Sequence, residues 1–285
     1  GETLALVGES GCGKSTLGRT LIRLIKATSG EITFDGTDIT SLSEKDFAPY
    51  RRRMQLIFQD PYASLDPRMT VRDIVAEPLK TYKLCRTKEE TTERVLSLLR
   101  DVGIPEEFLY RYPHQFSGGQ RQRIGIARSI ALDPALIVCD EPVSALDVSV
   151  QNQILNLLRQ LQRERGLTYL FISHDLSVVR FISDRICVMF LGRLCEIGRT
   201  AEVYAKPLHP YTRFLINAIP KADPAARFEE KPLLTGELPS PIDPPQGCRF
   251  HTRCPYATEL CRCEMPQLRP IGDRLVACHR AEELN

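Results

Sequence analysis

Nine residues near the start of the chain have the types and spacing of a phosphate-binding loop. Residues 8–16 read GESGCGKST and match the pattern G-x-x-x-x-G-K-[S/T]. Its glycines let backbone N–H groups point inward at phosphate oxygens, Lys14 adds a positive charge, and Ser15 offers a hydroxyl to Mg²⁺. A strand before the loop and a helix after it disfavour a glycine-rich turn with no ligand. The predicted contacts are Gly8, Ser10, Gly11, Cys12, Gly13, Lys14, Ser15 and Thr16.

A second group pairs two carboxylates with a short apolar run. Residues 136–142 read LIVCDEP, so a buried strand would deliver Asp140 and Glu141 at its carboxyl end, where open α/β sheets bind ligands. Asp140 is expected to hold Mg²⁺, directly or through water, and Glu141 to orient and polarise an attacking water. An exposed turn is the alternative, which the phosphate loop makes less favourable.

Residues 116–120, FSGGQ, place two glycines and a serine at the start of a predicted helix, a second anion site. At this point the chain resembles one family, the ABC ATPases, of which this is the signature motif. The resemblance implies that the motif binds the γ-phosphate of ATP held by another subunit. Its predicted binding residues are Ser117, Gly118, Gly119 and Gln120.

Three smaller elements fit the same family. Gln59 resembles the Q-loop glutamine that touches Mg²⁺ or water, residues 144–147 resemble the D-loop, and His174 resembles the switch histidine. The resemblance therefore implies Glu141, His174 and Gln59 as catalytic, and Ser15, Gln59 and Asp140 as magnesium ligands. The family's adenine-stacking aromatic residue would lie upstream of Gly1, so no adenine contact is predicted.

The elements that would position these residues alternate between strands and helices. Strands are expected at residues 3–7, 31–34, 54–58, 136–139, 170–172, 185–190 and 193–196. Helices are expected at 14–25, 89–102 within a mainly helical stretch 71–112, from Ser117 onward, at 150–165 and at 211–218. Prolines recur from residue 207, which predicts an irregular tail that needs something other than a large apolar core.

The expected fold is α/β, a P-loop NTPase of the ABC nucleotide-binding type with a RecA-like core and a helical subdomain. The ATPase domain would span residues 1–205, with the helical subdomain at about 68–134 and the N-terminal strands missing. Residues 206–285 would form an irregular, cysteine-rich C-terminal extension.

Composition narrows the classes of function. The 285 residues carry 38 basic and 36 acidic side chains, a net charge of +2, which gives no broad field for binding nucleic acid. No apolar run approaches the roughly 18–20 residues that span a bilayer. With no signal peptide, the cytosol is the expected compartment and structural disulfides are not expected.

Five of the ten cysteines lie in the last part of the chain: Cys248, Cys254, Cys261, Cys263 and Cys278. Clustered thiols in a proline-rich segment favour a metal site, and thiolate ligands suit either zinc or an iron–sulfur cluster. Free or disulfide-linked cysteines are the alternative. The resemblance favours a [4Fe–4S] cluster on Cys248, Cys254, Cys261 and Cys278, with Cys263 spare.

Several stretches resemble the oligopeptide/dipeptide importer branch, in particular its F-type ATPase. They are residues 58–65, 112–114, 139–149, 207–212 and 236–241. The resemblance implies a second, D-type ATPase subunit, two transmembrane permease subunits and an extracytoplasmic peptide-binding protein, with this chain peripheral on the cytoplasmic face of the inner membrane. An importer for nickel or sugar is the first alternative, and a soluble ABC ATPase of DNA repair or translation is the second.

Overall fold

The computed structural model describes residues 1–219 and 239–284. The chain divides into two compact units. The first contains Gly1–Glu2 and Thr16–Leu170, and the second contains Thr3–Ser15 and Phe171–Asn285.

Helices and strands alternate along much of the chain. The helices are α1 (Lys14–Leu21), α2 (Glu44–Arg53), α3 (Val71–Thr81), α4 (Lys88–Asp101), α5 (Gly118–Ile130), α6 (Val148–Arg165), α7 (Leu176–Ile182), α8 (Thr200–Ala205), α9 (Pro210–Asn217) and α10 (Glu259–Cys263). The strands are β1 (Thr3–Val7), β2 (Thr33–Phe34), β3 (Thr37–Asp38), β4 (Met54–Ile57), β5 (Leu136–Asp140), β6 (Thr168–Ser173), β7 (Arg185–Phe190), β8 (Arg193–Arg199), β9 (Arg269–Ile271) and β10 (Arg274–Val276).

The boundary of α1 differs from its prediction. The helix ends at Leu21, whereas periodicity predicts Ile25. Arg23 adopts a left-handed backbone with φ +56°, and the Leu24 N–H donates to the Arg19 carbonyl at 2.8 Å. A left-handed residue followed by an N–H that donates to the carbonyl five positions earlier is a common way for a helix to end. Apolar spacing predicts which face is buried but does not detect this stop.

The first unit contains a parallel strand pair and a group of packed helices. β4 pairs in parallel with β5, with Met54 opposite Leu136. Helices α3, α4 and α5 pack against one another. Thr70 and Thr87 begin α3 and α4 by accepting backbone N–H groups with their side chains.

In the second unit, a mixed sheet runs in the order β1-β7-β8-β10-β9. β1 is parallel to β7, and the remaining neighbours are antiparallel. Its buried apolar core consists of Ala5, Val7, Leu176, Val179, Ile186, Val188, Phe190, Leu191, Cys195, Val203, Tyr211 and Phe250.

The prediction of an irregular tail without an apolar core was wrong in part. The tail contains α10 and a hairpin, β9–β10, that pairs with β8. Phe250 is 2% exposed and packs with Phe190 and Tyr211, and Val276 and Ala281 are fully buried. Few apolar residues suffice because they extend a core that the sheet already forms. The proline-rich stretch 220–238, including residues 236–238 of the last lineage motif, lies outside the described residues.

Membrane-spanning segments are not found in the described ranges, where no helix is long and apolar enough to cross a bilayer.

Candidate functional site

The predicted phosphate loop connects β1 to α1, and its lysine is held by the loop itself. Lys14 is 5% exposed, and its Nζ donates to the Gly8 carbonyl at 2.8 Å and to the Glu9 carbonyl at 3.0 Å. The ammonium group therefore lies against the loop backbone, where the pattern predicts a cation for phosphate.

Gly8 is required by packing as well as by the curl of the loop. Its φ is +156°, and a Cβ built on it would lie 2.1 Å from the Met189 carbonyl oxygen of β7. Any side chain at this position would force the loop away from the strand. The start of the loop is thus fixed against the sheet of the second unit.

In the first unit, the paired carboxylates lie at the carboxyl end of β5, where Asp140 is its last residue and Glu141 follows, and each has a polar partner. Asp140 is 1% exposed, and Arg19 Nη2 donates to its Oδ2 at 3.2 Å. Gln59 Nε2 donates to Glu141 Oε2 at 3.2 Å. The structure thus brings together two of the predicted catalytic residues, which are 82 positions apart in the chain.

Glu141 also has an unusual backbone. Its φ is +47°, in the left-handed region, and its carbonyl accepts hydrogen bonds from the Ser144 N–H and Oγ. Such backbone conformations in non-glycine residues cost free energy and occur often at functional sites. Glu141 thus leaves the strand at a sharp turn that the neighbouring serine holds.

Arg19 is a site residue that sequence reasoning missed. It lies on α1, five residues after Lys14, and reaches the buried Asp140 carboxylate although its own side chain is 44% exposed. Spacing within a helix predicts which face a residue occupies, but not that a distant carboxylate lies on that face.

The predicted signature residues begin α5. Ser117 accepts the Gln120 N–H with its hydroxyl at 3.4 Å, and the Gln120 side chain accepts the Ser117 N–H at 3.0 Å. This reciprocal capping box satisfies two backbone groups at the helix start. Gln120 therefore has a local structural role as well as a predicted ligand role.

Gly119 is buried against α6. A Cβ at this position would lie 2.4 Å from Val150 Cγ1, closer than any side-chain contact allows. Glycine is needed here for the approach of α5 to α6, whatever ligand the helix start binds.

His174, in the second unit, directly follows β6 and is exposed. The residues on either side fix its backbone: Ser173 Oγ accepts the Asp175 N–H at 3.0 Å, and the Asp175 carboxylate caps α7. The predicted switch histidine is therefore presented at a strand end by two hydrogen-bonded neighbours.

The four cysteines of the predicted metal site line one cavity of about 20 Å³; they are Cys248, Cys254, Cys261 and Cys278. Burial raises the pKa of Cys248 and of Cys254 to about 11, and the neighbouring thiols add to the rise. Cys263 is exposed and does not line the cavity. In the part of the chain that the structure describes, no three or more His, Cys, Asp or Glu side chains are arranged to hold a metal ion.

A groove of about 560 Å³ lies beside Gln59 in the first unit. Its lining includes Phe58, Gln59, Glu77 and Arg128. Phe58 is 41% exposed, and nearby Tyr62 is 57% exposed with the Arg121 guanidinium 4.0 Å from its ring centre. Exposed aromatic rings beside a groove are typical of a protein interaction surface.

Comparisons with known proteins give a consistent assignment. The "ABC transporter" family model matches residues 1–144, and "Oligopeptide/dipeptide transporter, C-terminal region" matches residues 195–261. The putative oligopeptide transport ATP-binding protein YkfD of Bacillus subtilis is 57% identical, over 98% of this chain and 85% of the relative. The oligopeptide transport ATP-binding protein AppF of the same species is 54% identical, over 98% and 85%.

Two solved structures share the fold. CbiO1 of Clostridium perfringens, part of an ABC transporter complex, has a TM-score of 0.65 at 32% identity, over 72% of this chain and 80% of that one. A dimeric ATP-binding cassette in a post-hydrolysis state with ADP and phosphate has a TM-score of 0.63 at 33% identity, over 70% and 85%. These matches show that the chain belongs to the ABC transporter ATPases, in the branch of the oligopeptide and dipeptide transport ATP-binding proteins.

Proposed function

We propose that this chain is the ATP-binding and ATP-hydrolysing subunit that powers an importer of oligopeptides or dipeptides. One observation carries the proposal: a single chain combines the phosphate loop, the Gln59–Glu141 pair and the C-terminal region of oligopeptide/dipeptide transporters. The close relatives are named as oligopeptide or peptide transport ATP-binding proteins, which supports this substrate class.

Each site residue has a role in this proposal. Lys14 and the loop N–H groups bind the β- and γ-phosphates, and Glu141 polarises the attacking water while Gln59 orients the carboxylate. His174 contacts the γ-phosphate. Ser15, Gln59 and Asp140 would hold Mg²⁺, which neutralises phosphate charge when bound. The Asp140 carboxylate offers the oxygen ligands that Mg²⁺ prefers, and the ion would compete with Arg19 for them.

The signature residues Ser117 to Gln120 complete the site of a second ATPase subunit. The helix start of α5 offers backbone N–H groups and a serine hydroxyl, which suit a γ-phosphate. A solved relative with the same fold is a dimer, in support of this arrangement. A D-type subunit is the proposed partner, and the pair would be a heterodimer.

The groove beside Gln59 is the proposed docking place for the transmembrane permease subunits. Its lining offers the exposed Phe58 ring next to Gln59, a residue of the catalytic pair, so docking and water positioning would be linked. The chain would then be peripheral on the cytoplasmic face of the inner membrane. An extracytoplasmic protein would deliver peptide to the permease.

The four cysteines around the small cavity are the proposed ligands of a structural metal centre. Their thiols form a donor set suited to a [4Fe–4S] cluster or to zinc. In the described residues these thiols are not arranged to hold a metal ion, so zinc or a cluster would require them to rearrange around the cavity of about 20 Å³. Because burial keeps Cys248 and Cys254 protonated, metal uptake would release protons.

The test uses the chain assembled with its membrane subunits. Glu141→Gln should retain ATP binding and lose at least about 100-fold in turnover, since it removes the group that polarises water. Glu107→Gln, an exposed glutamate on the same chain, is the matched control and should keep wild-type turnover. Full turnover in Glu141→Gln would contradict the assignment of Glu141.

The substrate class is tested in the same assembly by measuring how the ATPase rate responds to candidate substrates. Peptide presented by the extracytoplasmic protein should raise the ATPase rate, whereas nickel or sugar should not. Stimulation by nickel or sugar alone would contradict peptide import and leave the ATPase assignment intact.

A further inference from the structure

The C-terminal tail reaches the phosphate loop through an ion pair. Arg253 ends the short 3₁₀ turn His251–Arg253, and its Nη1 donates to both Glu9 carboxylate oxygens at 3.1 and 2.9 Å. Glu9 is the second residue of the loop. The Arg253 side chain is 9% exposed and that of Glu9 is 27% exposed. Both residues belong to the second unit.

The Glu9 backbone is held by neighbours on either side of the loop. Its N–H donates to Tyr211 Oη at 3.0 Å, and its carbonyl accepts from Lys14 Nζ at 3.0 Å. Tyr211 is fully buried on α9. Because the Glu9 carbonyl contacts the phosphate-binding lysine, a shift of Glu9 would displace the Lys14 ammonium group.

A second contact from the tail reaches the middle of the loop. Arg249 Nη1 donates to the Leu191 carbonyl in the turn between β7 and β8, and the adjacent Gly192 N–H donates to the Cys12 carbonyl at 2.8 Å. Phe250, between the two arginines in the tail, is fixed by aromatic packing, with its ring centre 5.3 Å from that of Tyr211. The tail therefore supports the loop near Glu9 and near Cys12.

The Arg253–Glu9 ion pair affects the net charge that the phosphate loop presents to a nucleotide. A carboxylate in a loop that binds polyphosphate repels its ligand unless a cation neutralises it. Arg253 supplies that cation at low exposure, where charges are screened little by solvent. Its Nε is buried with no hydrogen-bond partner in the described ranges, so the contacts with Glu9 are what compensates this guanidinium.

We propose that Arg253 is a positioning residue for ATP: by neutralising and holding Glu9, the C-terminal tail sets the affinity of the phosphate loop for the nucleotide. The proposal rests on the proposed ATPase function. It assigns to the tail a role within the nucleotide site, in addition to any metal that the tail cysteines hold.

The test measures the dissociation constant of a non-hydrolysable ATP analogue with Mg²⁺ by calorimetry on the full chain. Arg253→Met should weaken binding about tenfold, because it leaves the negative charge of Glu9 within the phosphate loop without its neutralising cation. Glu9→Gln combined with Arg253→Met should recover most of that loss, since the repelling charge is gone. Arg253→Lys, which keeps the charge but not the paired hydrogen bonds, should fall between Arg253→Met and wild type.

Arg262→Met is the matched control, because Arg262 lies on the same tail with its side chain 60% exposed beside an exposed glutamate. It should bind the analogue as the wild type does. Thermal unfolding without nucleotide separates anchoring from positioning: a lower melting temperature with an unchanged dissociation constant would overturn the proposal. An equal loss in Arg253→Met and the double variant would also overturn it.

Two further outcomes keep the proposals distinguishable. If Arg253→Met does not fold, Arg253→Lys decides the matter: it keeps the charge but not the paired hydrogen bonds, so a dissociation constant equal to that of the wild type would overturn the role of those bonds in holding Glu9. If the wild type binds no ATP, the proposed function fails. If the wild type binds and the arginine variants match it, only the role of Arg253 fails.

Discussion

At the scale of single residues, the predicted site residues Lys14, Asp140 and Glu141 each form hydrogen bonds with neighbouring groups of the protein. Arg19 contacts Asp140, Gln59 contacts Glu141, and Lys14 contacts its own loop. Each charged or polar group therefore has a defined position set by the protein itself. Preorganisation of this kind reduces the reordering that binding a nucleotide would require.

The cysteine cavity carries a prediction at this scale. Protein purified without oxygen should contain bound metal, as brown iron–sulfur protein absorbing near roughly 400 nm or as colourless protein with zinc. Cys254→Ser should lose the metal because it removes one of four thiols around the cavity. Elemental analysis of wild type and variant provides the measurement.

Cys263→Ser is the matched control for this experiment. Cys263 is exposed and lies outside the cavity lining, so its removal should leave the metal content unchanged. Wild-type protein without metal, or equal metal in the Cys254 variant, would contradict the proposed centre.

At the scale of elements, two contacts explain why particular residue types are needed where helices begin. Ser117 and Gln120 cap α5 through the capping box, and Asp147 caps α6 by accepting the Val150 N–H at 3.0 Å. Asp147 therefore has a structural role in addition to its predicted place in the D-loop. Motif residues and helix caps coincide in this part of the chain.

Gly119→Ala tests how far packing determines the signature glycine. The added methyl group would meet Val150 at 2.4 Å, and overpacking of this kind costs about 1–3 kcal/mol of stability. Gly119→Ala/Val150→Ala should recover most of the loss because it removes the obstructing methyl groups. Chemical denaturation of both variants and of Val150→Ala alone gives the comparison.

The ATPase rate of the same variants separates the two roles of Gly119. If the double variant regains stability but not turnover, the absence of a side chain at residue 119 is also needed for phosphate binding. A single variant as stable as the wild type would show that α5 and α6 adjust freely, against the packing argument.

Sequence patterns predicted the positions of helices and strands better than they predicted contacts between distant residues. The bounds of β1 and β7 agree with their predictions because continuous apolar runs mark buried strands. The tail hairpin was not predicted, since β9 contains Pro270 and β10 is three residues long. The Arg253–Glu9 pair was not predicted either, because the two residues are 244 positions apart and no sequence motif links them.

At the scale of the whole chain, the buried histidine His209 contributes to the pH dependence of stability. His209 is 2% exposed and caps α9 from the position before Pro210, where its Nδ1 accepts the Tyr211 N–H at 3.0 Å. Burial lowers its pKa to about 4, and a hydrogen bond with the Ala277 backbone offsets this only in part. The buried Glu196 carboxylate accepts the backbone N–H of His209 and pairs with Arg274, so the charge of Glu196 is already balanced.

The sign of the pH dependence follows from this pKa. Between about pH 6.5 and pH 4 the unfolded chain binds a proton at His209 and the folded chain does not, so stability falls as the pH falls. Between pH 7 and pH 5 the expected loss from this residue is about 2 kcal/mol. His209→Asn, whose oxygen can still cap α9, should show a smaller loss over the same interval.

Denaturation curves at the two pH values test this expectation. His114→Asn is the control because His114 is exposed, and its pH dependence should match that of the wild type. An identical pH dependence in His209→Asn and wild type would contradict the assignment.

The pairing of the tail hairpin with β8 has a consequence for solubility and for chain truncation. Without residues 269–276, β8 would present a row of unpaired backbone N–H and C=O groups, which is a template for aggregation with other chains. Among the strands that the structure describes, the one beyond β10 at this edge is β9, which is short and contains Pro270, a residue without an N–H to donate. A chain cut at residue 205 would lack β9 and β10, so the edge of β8 would be exposed and could pair with the same strand of another copy.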